Sequence, residues 1–520
     1  MKKFILAFGI LCAVGTICNP VDVRAQTAEI ESADEIESGD LLPIKNGSSV
    51  SGYAFVAKLD NDKEMKKMRL KIFDENLKEA GSSDFEIPKN ASIRQAFFEG
   101  GALMLAVEEY TSSKDKKEFV KIFQLDSKAT TSVTYEPDEE EKKSGLFGKA
   151  IAANSTVPFK GRFKTVEGLG LLCTYTSTNK NGGLTAQLVG TDGRRKWKRK
   201  ITGSEDKRMD VHLLTTTPKT ILFFASLRDG IMDRDSKNLL IGLDAESGRQ
   251  VFRKTLEVGK EAWEPVFFKT MPGDDANTLT VCNMVSDVED KFYKATNTGF
   301  NYGKLDLTTG DFTDMKTVDY SEQLSKVLTM KNESKSEEGY LFIEDLIAMP
   351  DNSLVVVGEF FRNTVSASGV AMTLLSRGEA AGTLEQGTIG DMFALRLSPE
   401  GTLQSMDKLD KDVRRCQAFT GISTGLLCRY MAAMGSFSYQ YTDELADNRK
   451  TVIVASNMKS GENGINAVTF TPGKGYKVKN LVSNKDGGKY AVLQGKPGHV
   501  LVLKSDRKGK KATMSFQKVD

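Results

Sequence analysis

Apolar and polar residues alternate in short runs along most of the chain, and Gly, Asn and Asp separate the runs. From Leu41 onward this pattern is typical of β-strands joined by turns. Helical periodicity is scarce, although Leu324, Val327 and Leu328 predict a short helix over residues 321–331. The clearest predicted strands cover residues 53–57, 102–107, 221–225, 354–357, 452–455 and 500–503.

A turn recurs between these strands. Its clearest copy is Leu-Asp-Ala-Glu-Ser-Gly-Arg at 243–249, and Leu-Asp-Leu-Thr-Thr-Gly at 305–310 is close to it. Most steps between copies exceed the ~40–50 residues of compact propeller repeats, which indicates a core unit with loop insertions. The turn positions are Asn76, Lys128, Gly193, Gly248, Gly310, Gly401, Gly475 and Gly509.

A second landmark precedes the turn: an apolar strand, a Pro-Asp-Asn-Ser turn at 350–353 and a hydrophobic strand that ends in glycine. The two landmarks give four strands per unit and predict an all-β propeller of seven or eight four-stranded blades. The first and last units each look one strand short, so we expect strands from both chain ends to close the ring. Tandem β-sandwiches are the alternative.

The Leu-Asp turns resemble the blade signature of quinoprotein-like β-propellers, in which an aromatic residue or Trp follows Leu-Asp, two residues and Thr/Ser-Gly. Trp197 follows such a turn and Phe252 takes the aromatic place in the clearest copy, whereas the other copies lack the tryptophan. The resemblance therefore implies the architecture and not quinone binding. The chain also looks like uncharacterised exported bacterial propeller proteins.

The first 25 residues have the form of a secretory signal peptide: a basic start, an apolar run over 4–17, and small residues before a cleavage site after Ala25. The run is short for a membrane span. Residues 26–40 are acidic and predict a flexible N-terminal extension. A single propeller domain is expected over 41–520, with loop insertions near 136–156, 363–390 and 431–448.

Charge argues against broad electrostatic partners. The whole chain carries 72 Lys+Arg and 70 Asp+Glu. Cleavage would remove Lys2, Lys3, Arg24 and Asp22, so the mature chain would be formally neutral. We therefore expect neither nucleic-acid binding nor attachment to an anionic membrane. The basic stretch 194–200 is interpreted as a solvated turn and strand edge.

Four cysteines lie beyond the leader. Cys173 and Cys282 are expected to be free and buried, because each lies inside an apolar strand. Cys416 and Cys428 flank a Thr- and Gly-rich stretch that reads as strand, turn and strand, so they could face each other and form a disulfide.

No catalytic, cofactor-binding or metal-binding residue is assigned. His212 and His499 are the two histidines and lie in no nucleophile motif. The stretch 233–244 only partly matches a calcium loop. Carboxylates are plentiful, but their separation decides glycosidase chemistry and sequence does not supply it. They include Glu337, Glu338, Glu344, Asp345 and Glu359.

The leading hypothesis is an exported, periplasmic or extracellular, non-enzymatic binding or scaffolding propeller that uses no cofactor. Its partner would be a protein or a glycan, contacted through the loop insertions. The alternative is a carbohydrate-active, glycosidase-like enzyme that uses carboxylates in a central pocket.

Overall fold

The protein is described by a computed structural model. Residues outside the described ranges include the predicted leader, the insertion near 136–156, residues 233–236 of the calcium-like stretch, residues 366–384 of the insertion near 363–390, and Glu337 and Glu338. The described residues are 27–32, 36, 41–46, 49–61, 64–110, 116–124, 132–135, 163–176, 182–203, 207–228, 237–272, 274–287, 297–328, 330–332, 335–336, 339–365, 385–417, 424–433, 435–445, 449–455, 464–471, 475–483, 489–506 and 509–519.

Blades I to IV are four-stranded antiparallel sheets, each formed by four consecutive strands in chain order. Blade I contains β2 (Leu41–Asn46), β3 (Ser49–Asn61), β4 (Met65–Asp74) and β5 (Glu79–Pro88); blade II β6 (Ala91–Glu99), β7 (Ala102–Tyr110), β8 (Lys116–Gln124) and β9 (Ser132–Tyr135); blade III β10 (Phe163–Val166), β11 (Gly170–Thr176), β12 (Leu184–Val189) and β13 (Arg195–Ile201); blade IV β14 (Arg208–Thr216), β15 (Thr220–Arg228), β16 (Lys237–Asp244) and β17 (Gln250–Thr255).

Blades V to VII follow the same plan with additions. Blade V contains β18 (Glu257–Val258), β19 (Glu261–Lys269), β20 (Thr278–Asp287), β21 (Asn297–Asp306) and β22 (Phe312–Asp319). A 3₁₀ turn (Leu324–Lys326) and a hairpin of β23 (Met330–Asn332) and β24 (Lys335–Ser336) connect blade V to blade VI. Blade VI contains β25 (Tyr340–Ala348), β26 (Leu354–Val365), β27 (Glu385–Leu397), β28 (Leu403–Leu409) and β29 (Arg414–Gln417). Helix α1 (Thr424–Ala433) precedes blade VII, which contains β30 (Tyr439–Glu444), β31 (Lys450–Ala455), β32 (Gly464–Thr471) and β33 (Gly475–Ser483).

Blade VIII joins the two ends of the chain. Its strands are β34 (Lys489–Gln494), β35 (His499–Ser505), β36 (Lys511–Lys518) and β1 (Thr27–Glu31), in that order across the sheet. β1 pairs antiparallel with β36, from Thr27 opposite Ser515 to Glu31 opposite Lys511. The ring closure predicted from the two incomplete end units is confirmed.

The blades are held together by apolar clusters at every junction of the ring. Eight clusters of buried side chains in the described chain each join two successive blades, including blade VIII to blade I and blade I to blade II. The second strand of a blade is covered on both faces, and for this reason Ala102–Tyr110 reads as a nearly continuous apolar run. This closed set of interfaces identifies an eight-bladed propeller rather than tandem sandwiches, and the predicted fold class is confirmed.

The recurring turn connects the third and fourth strands of a blade. The copies near Asn76, Gly193, Gly248, Gly310, Gly401 and Gly475 occupy this position, whereas residue 128 lies outside the described residues. Gly509 instead joins the second and third strands of blade VIII. That difference explains why Gly475 and Gly509 lie closer together in sequence than the other successive copies of the turn, because the fourth strand of blade VIII comes from the N-terminus.

Side chains after these turns dock onto the next blade. The indole of Trp197 donates to the carbonyl of Ala245 at 2.9 Å, and a Cβ at Gly248 would lie 2.6 Å from its ring. Phe252 covers Gly310 in the same way, one blade further on. Both glycines have φ near +70°, so the position excludes a side chain for steric and conformational reasons.

Three local expectations were wrong. Residues 27–31 form β1 and not part of a flexible extension, because Ile30 packs into the cluster between blades VIII and I while Glu29 and Glu31 face solvent. The short helix expected over 321–331 is a single 3₁₀ turn. Tyr439, Gln440 and Tyr441, placed in a loop insertion near 431–448, lie in β30, the first strand of blade VII.

Among the described residues, no helix has the length and apolar character needed to cross a membrane.

Ile30→Ala should lower the free energy of unfolding by about 2–4 kcal/mol, because it leaves a cavity at the junction made by both chain ends. Urea denaturation followed by tryptophan fluorescence measures the change. Glu29→Ala is the matched control, since Glu29 is exposed on the same strand, and it should change the value by less than about 0.5 kcal/mol. Equal effects of the two substitutions would contradict the closure.

Candidate functional site

The first strands of the blades contact one another around the ring axis, and in blade V this strand is β19, since β18 has only two residues. Contacts join β34 to β2, β2 to β6, β6 to β10 and β10 to β14, and further contacts join β19 to β25 and β30 to β34. Five of these first strands carry a bulge that adds one unpaired residue. The added residues are Arg94, Leu214, Val266, Glu344 and Gln440. A bulge re-aims side chains and frees main-chain groups, and such positions are common beside functional sites.

Helix α1 lies against two of these first strands, β19 and β25. At Gly425 the approach is so close that a Cβ would lie 2.8 Å from Glu264 Oε1 and 2.8 Å from the Tyr340 hydroxyl. Leu427, Cys428 and Met431 are buried against Phe342 and Phe361 of blade VI. The insertion before blade VII thus places a helix at the inner edge of the ring.

Arg429 links this helix to two further bulges. Its Nη2 donates to the carbonyl of Leu214 at 2.6 Å, and its Nη1 donates to the carbonyl of Val266 at 2.7 Å. Its guanidinium carbon lies 5.9 Å from the centre of the Phe268 ring. One side chain therefore satisfies main-chain carbonyls of blades IV and V, which fixes the plane of the guanidinium group.

Glu359 is the centre of a buried charge pair between blades VI and VII. Its Oε1 accepts from the backbone N–H of Ser438 at 2.6 Å and of Tyr439 at 2.9 Å. Its Oε2 lies 2.9 Å from Lys411 Nζ, and both side chains are fully buried. The pair makes close charge contact without hydrogen-bond alignment. Removing either member would leave an uncompensated buried charge.

Lys411 reaches this position because the outer strand of blade VI is interrupted. β28 and β29 pair with successive parts of β27, and Lys411 lies in the break between them. Its backbone N–H donates to Asp391 Oδ1 at 3.0 Å. The break turns a lysine from a charged, surface-like stretch into the interior.

A second buried carboxylate, Asp345, is fully engaged. Its Oδ1 accepts from Lys269 Nζ and from the backbone N–H of Leu346, at 2.7 and 2.8 Å, and its Oδ2 accepts from the Tyr439 hydroxyl at 3.0 Å. Burial, and then the charge of Asp345, raise the pKa of Tyr439 well above its ordinary value. Tyr439 therefore stays protonated and acts as a hydrogen-bond donor.

Glu344, the bulged residue of β25, differs from its two neighbours. Burial raises its pKa well above the ordinary value of 4.5, and the charges of Glu359 and Asp345 add to this effect, while Lys411 opposes it. The carboxyl group of Glu344 therefore keeps its proton to a higher pH than an exposed glutamate does.

This geometry limits the chemistry of the carboxylates. A glycosidase pair stands about 5–9.5 Å apart, with room for the scissile bond or a water between the groups. Asp345 is occupied by Lys269, and Glu359 by Lys411 and two backbone donors. The cluster has the character of an internal joint between blades VI and VII.

The other sequence-predicted groups lie elsewhere. His212 lies in β14, and His499 begins β35, with its Nδ1 3.1 Å from the carbonyl of Pro497. Residues 195–201 form β13, an outer edge strand whose basic side chains are mostly exposed, as expected. In the part of the chain that is described, no group of three or more His, Cys, Asp or Glu side chains could hold a metal ion.

The cysteine expectations had mixed outcomes. Cys173 and Cys282 are free and buried, as predicted. Cys416 and Cys428 are also free, and the predicted strand-turn-strand between them is wrong, because Cys428 lies in α1. Leu427, Cys428 and Met431 bury one face of a helix against blade VI, and this packing outweighs the Thr- and Gly-rich sequence.

The sequence analysis did not identify Lys411 and Arg429 as buried contacts, or the partners of the buried carboxylates. Lys411 lies in a run of charged residues, and Arg429 is an isolated cation. Glu344, Asp345 and Glu359 were noted as carboxylates, but their neutralising partners are remote in sequence. One sequence feature does indicate buried carboxylates here: two acidic residues at 344–345 interrupt an otherwise apolar strand.

Glu344→Gln should raise the free energy of unfolding at pH 7, and the gain should disappear as the pH falls to about 4.5. The folded protein holds the Glu344 proton above the ordinary pKa of 4.5, so ionisation of the unfolded chain lowers wild-type stability as the pH rises. Urea denaturation at pH 4.5 and pH 7 measures the difference.

Glu246→Gln is the control, because Glu246 is exposed in the turn between β16 and β17. Its effect should be the same at both pH values. A stability difference for Glu344→Gln that does not change between pH 4.5 and pH 7 would contradict the raised pKa.

Several solved structures resemble parts of the chain. The cobalt-substituted apocarotenoid oxygenase of Synechocystis is 10% identical, with a TM-score of 0.29 over 55% of this chain and 62% of that chain. The β-propeller domain of the Trilobed protease from Pyrococcus furiosus is 8% identical, with a TM-score of 0.33 over 83% of this chain and 98% of that chain. The chain thus spans less than two thirds of the oxygenase, and the fold assignment depends on its own strand topology.

No curated protein matches the chain. One family model, described as a family of unknown function (DUF6770), matches residues 1–520. The chain therefore belongs to the DUF6770 family, and its described residues form an eight-bladed β-propeller.

Proposed function

We propose that the chain is an exported, non-enzymatic binding or scaffolding propeller whose partner is a protein or a glycan. The observation that carries this proposal is the internal neutralisation of the buried carboxylates between blades VI and VII. Glu359 is matched by Lys411 and two backbone N–H groups, and Asp345 by Lys269 and Tyr439. Carboxylates held in this way stabilise an arrangement of blades and are poorly placed to bind and release a substrate.

Export is part of the proposal and depends on the sequence of residues 1–25, which has the form of a cleavable signal peptide. The mature chain would then act in the periplasm or outside the cell. A relation to quinoprotein-like propellers is likewise proposed. It is supported by the Leu-Asp turns and by the docking of Trp197 on the turn of the next blade.

The alternative is a glycosidase-like enzyme with carboxylates in a central pocket. One observation favours it: Glu344 holds its proton far above the ordinary pKa, as the general acid of a glycosidase must. The engagement of Glu359 with Lys411 and with the backbone N–H groups of Ser438 and Tyr439 argues against it, because a second catalytic carboxylate must face the glycosidic bond or a water.

The test uses residues 26–520 against a glycan array, a set of extracellular proteins and a panel of chromogenic glycosides. We expect saturable binding to an array or protein member and no turnover of any glycoside. Turnover that is lost in Glu344→Gln and kept in Glu246→Gln would contradict the non-enzymatic role and establish the alternative.

A further inference from the structure

The outer strands of blades III and IV form a basic surface on the rim of the ring. β13 carries five cations in seven residues, β17 carries Arg253 and Lys254, and neither strand contains an acidic residue. Each is the last strand of its sheet, at the outside of the ring. We call this surface the basic rim, and it consists of β13, β17 and Arg249 in the turn before β17.

Two arginines of the basic rim lie on the faces that blades III and IV present to each other. Arg199 is opposite Ala186 in its ladder, and Arg253 is opposite Ile241. Ala186 and Ile241 both belong to the apolar cluster that joins the two blades. Since directly opposed residues share one face of a sheet, Arg199 and Arg253 flank the outer margin of this junction.

The cations of the basic rim have few acidic partners. Arg199 Nε donates to the carbonyl of Gly248 at 3.1 Å, and Arg249 Nε lies 3.4 Å from the Ser247 hydroxyl. Both contacts are with neutral groups. Within the described part of the chain, five exposed cations of the basic rim form no ion pair: Lys196, Arg199, Lys200, Arg249 and Arg253.

The turn of Arg249 supplies two acidic residues, Asp244 and Glu246. Asp244 accepts hydrogen bonds from the hydroxyl and the backbone N–H of Ser247 at 2.5 and 2.7 Å. The bond from the Ser247 hydroxyl holds the pKa of Asp244 below its ordinary value, and the charge of Arg249 adds a smaller effect. The five cations exceed the two acidic residues of this turn by three charges.

The acidic outer strands of the ring are neutralised from within. Arg69 of β4 binds Asp84 of β5 with two hydrogen bonds, at 2.6 and 2.8 Å. In blade VIII, Lys511 of β36 lies 2.7 Å from Glu31 of β1. In both cases the adjacent strand supplies the opposite charge. β12, the strand next to β13, has no charged residue, so its side chains cannot neutralise β13 in this way.

We propose that the basic rim binds an acidic polysaccharide whose sugars carry carboxylates. This inference rests on the proposed binding role and names the class of its partner. An extended polyanion can contact the cations of two neighbouring blades at once, and the planar N–H pairs of arginine match a carboxylate. Short runs rich in Lys and Arg are typical of surfaces that bind anionic polymers.

The exposed side chains of the basic rim favour a polysaccharide over a protein. Trp197 and Phe252 are buried, and Val251, which is 44% exposed, is the large apolar side chain that the two strands present to solvent. Protein interfaces usually depend on aromatic or aliphatic anchors near their centre. Cations on an edge strand also prevent pairing between chains, but that role does not require arginines on the faces between two blades.

The first test titrates residues 26–520 with polygalacturonate by calorimetry at two salt concentrations. Binding should be saturable and weaker at the higher salt, because the contacts are exposed charges. Methyl-esterified polygalacturonate keeps the sugar chain without the charge and should not bind. Absence of polygalacturonate binding, or equal binding of the esterified polymer, would overturn the proposal. Tighter binding of polyglutamate or single-stranded DNA would overturn the assignment to a polysaccharide.

A double variant locates the surface. Arg249→Gln combined with Arg253→Gln should weaken polygalacturonate binding about tenfold or more, because it removes two charged donors. Lys477→Gln combined with Lys479→Gln is the matched control, since both lysines are exposed on β33, the outer strand of blade VII. This control removes the same charge and should change affinity by less than about twofold. Equal losses in the two double variants would overturn the location.

A second measurement uses the wild-type protein and does not depend on the folding of a variant. An amine-acylating reagent modifies neutral lysine, and mass spectrometry reads each site. Bound carboxylates stabilise the charged form of lysine, so saturating polygalacturonate should reduce acylation of Lys196 and Lys200 by at least about half. Acylation of Lys477 should not change. Unchanged labelling of Lys196 and Lys200 would also overturn the proposal.

The two proposals fail separately. Absence of polygalacturonate binding beside saturable binding of a protein or a neutral glycan would remove the basic rim as the site and leave the binding role in place. Cleavage of bound polygalacturonate, measured as new reducing ends, would contradict the non-enzymatic role and leave the basic rim as a binding surface.

Discussion

The pairing of β1 with β36 is the contact on which the rest of the ring depends. Each blade is covered on both faces only if every junction is made, and the junction between blades VIII and I needs both chain ends. Strands β35, β36 and β1 leave apolar side chains such as Ile30, Leu503 and Met514 to be covered by blade I. Closure therefore converts eight separately marginal sheets into one structure whose inner strands face a common axis.

Departures from the four-strand repeat concentrate between blades V and VII, and these departures supply two buried or half-buried cations, Lys411 and Arg429. The interrupted outer strand of blade VI turns Lys411 inward to Glu359, and the insertion before blade VII supplies α1 with Arg429. Buried ion pairs are weak evidence for stability, because desolvation offsets their attraction. Here the two carboxylates fix the position of blade VII: Glu359 and Asp345 accept hydrogen bonds from Ser438 and Tyr439 and so hold the start of blade VII against blade VI.

Much of the architecture could be predicted from the sequence, because it is encoded in local patterns. Turns such as that of Asp244 to Gly248 and apolar second strands carry their own signals, and the missing strand at each end predicts closure. Residues 27–31 were misinterpreted because an acidic edge strand shows only one large apolar residue, Ile30, which a flexible extension could also contain. Helix α1 was missed because its packing against blade VI outweighs a local sequence rich in turn formers.

The contacts of Glu359, Lys411 and Arg429 could not be predicted, because the groups that they join are remote in sequence. Glu359 lies in β26 and Lys411 in the break between β28 and β29, and the carbonyls that Arg429 reaches belong to blades IV and V. Only the ring, which brings the first strands of all blades together, places such residues side by side.

The central claim is that both ends of the chain complete one ring. Hydrogen exchange read by mass spectrometry tests it most directly, with the exchange of β1 amides compared with that of β36 amides under native conditions. The account predicts that the hydrogen-bonded amides of Thr27–Glu31 are protected and open together with their partners in Lys511–Lys518. Rapid, unprotected exchange of β1 beside a protected β36 would contradict the closed ring.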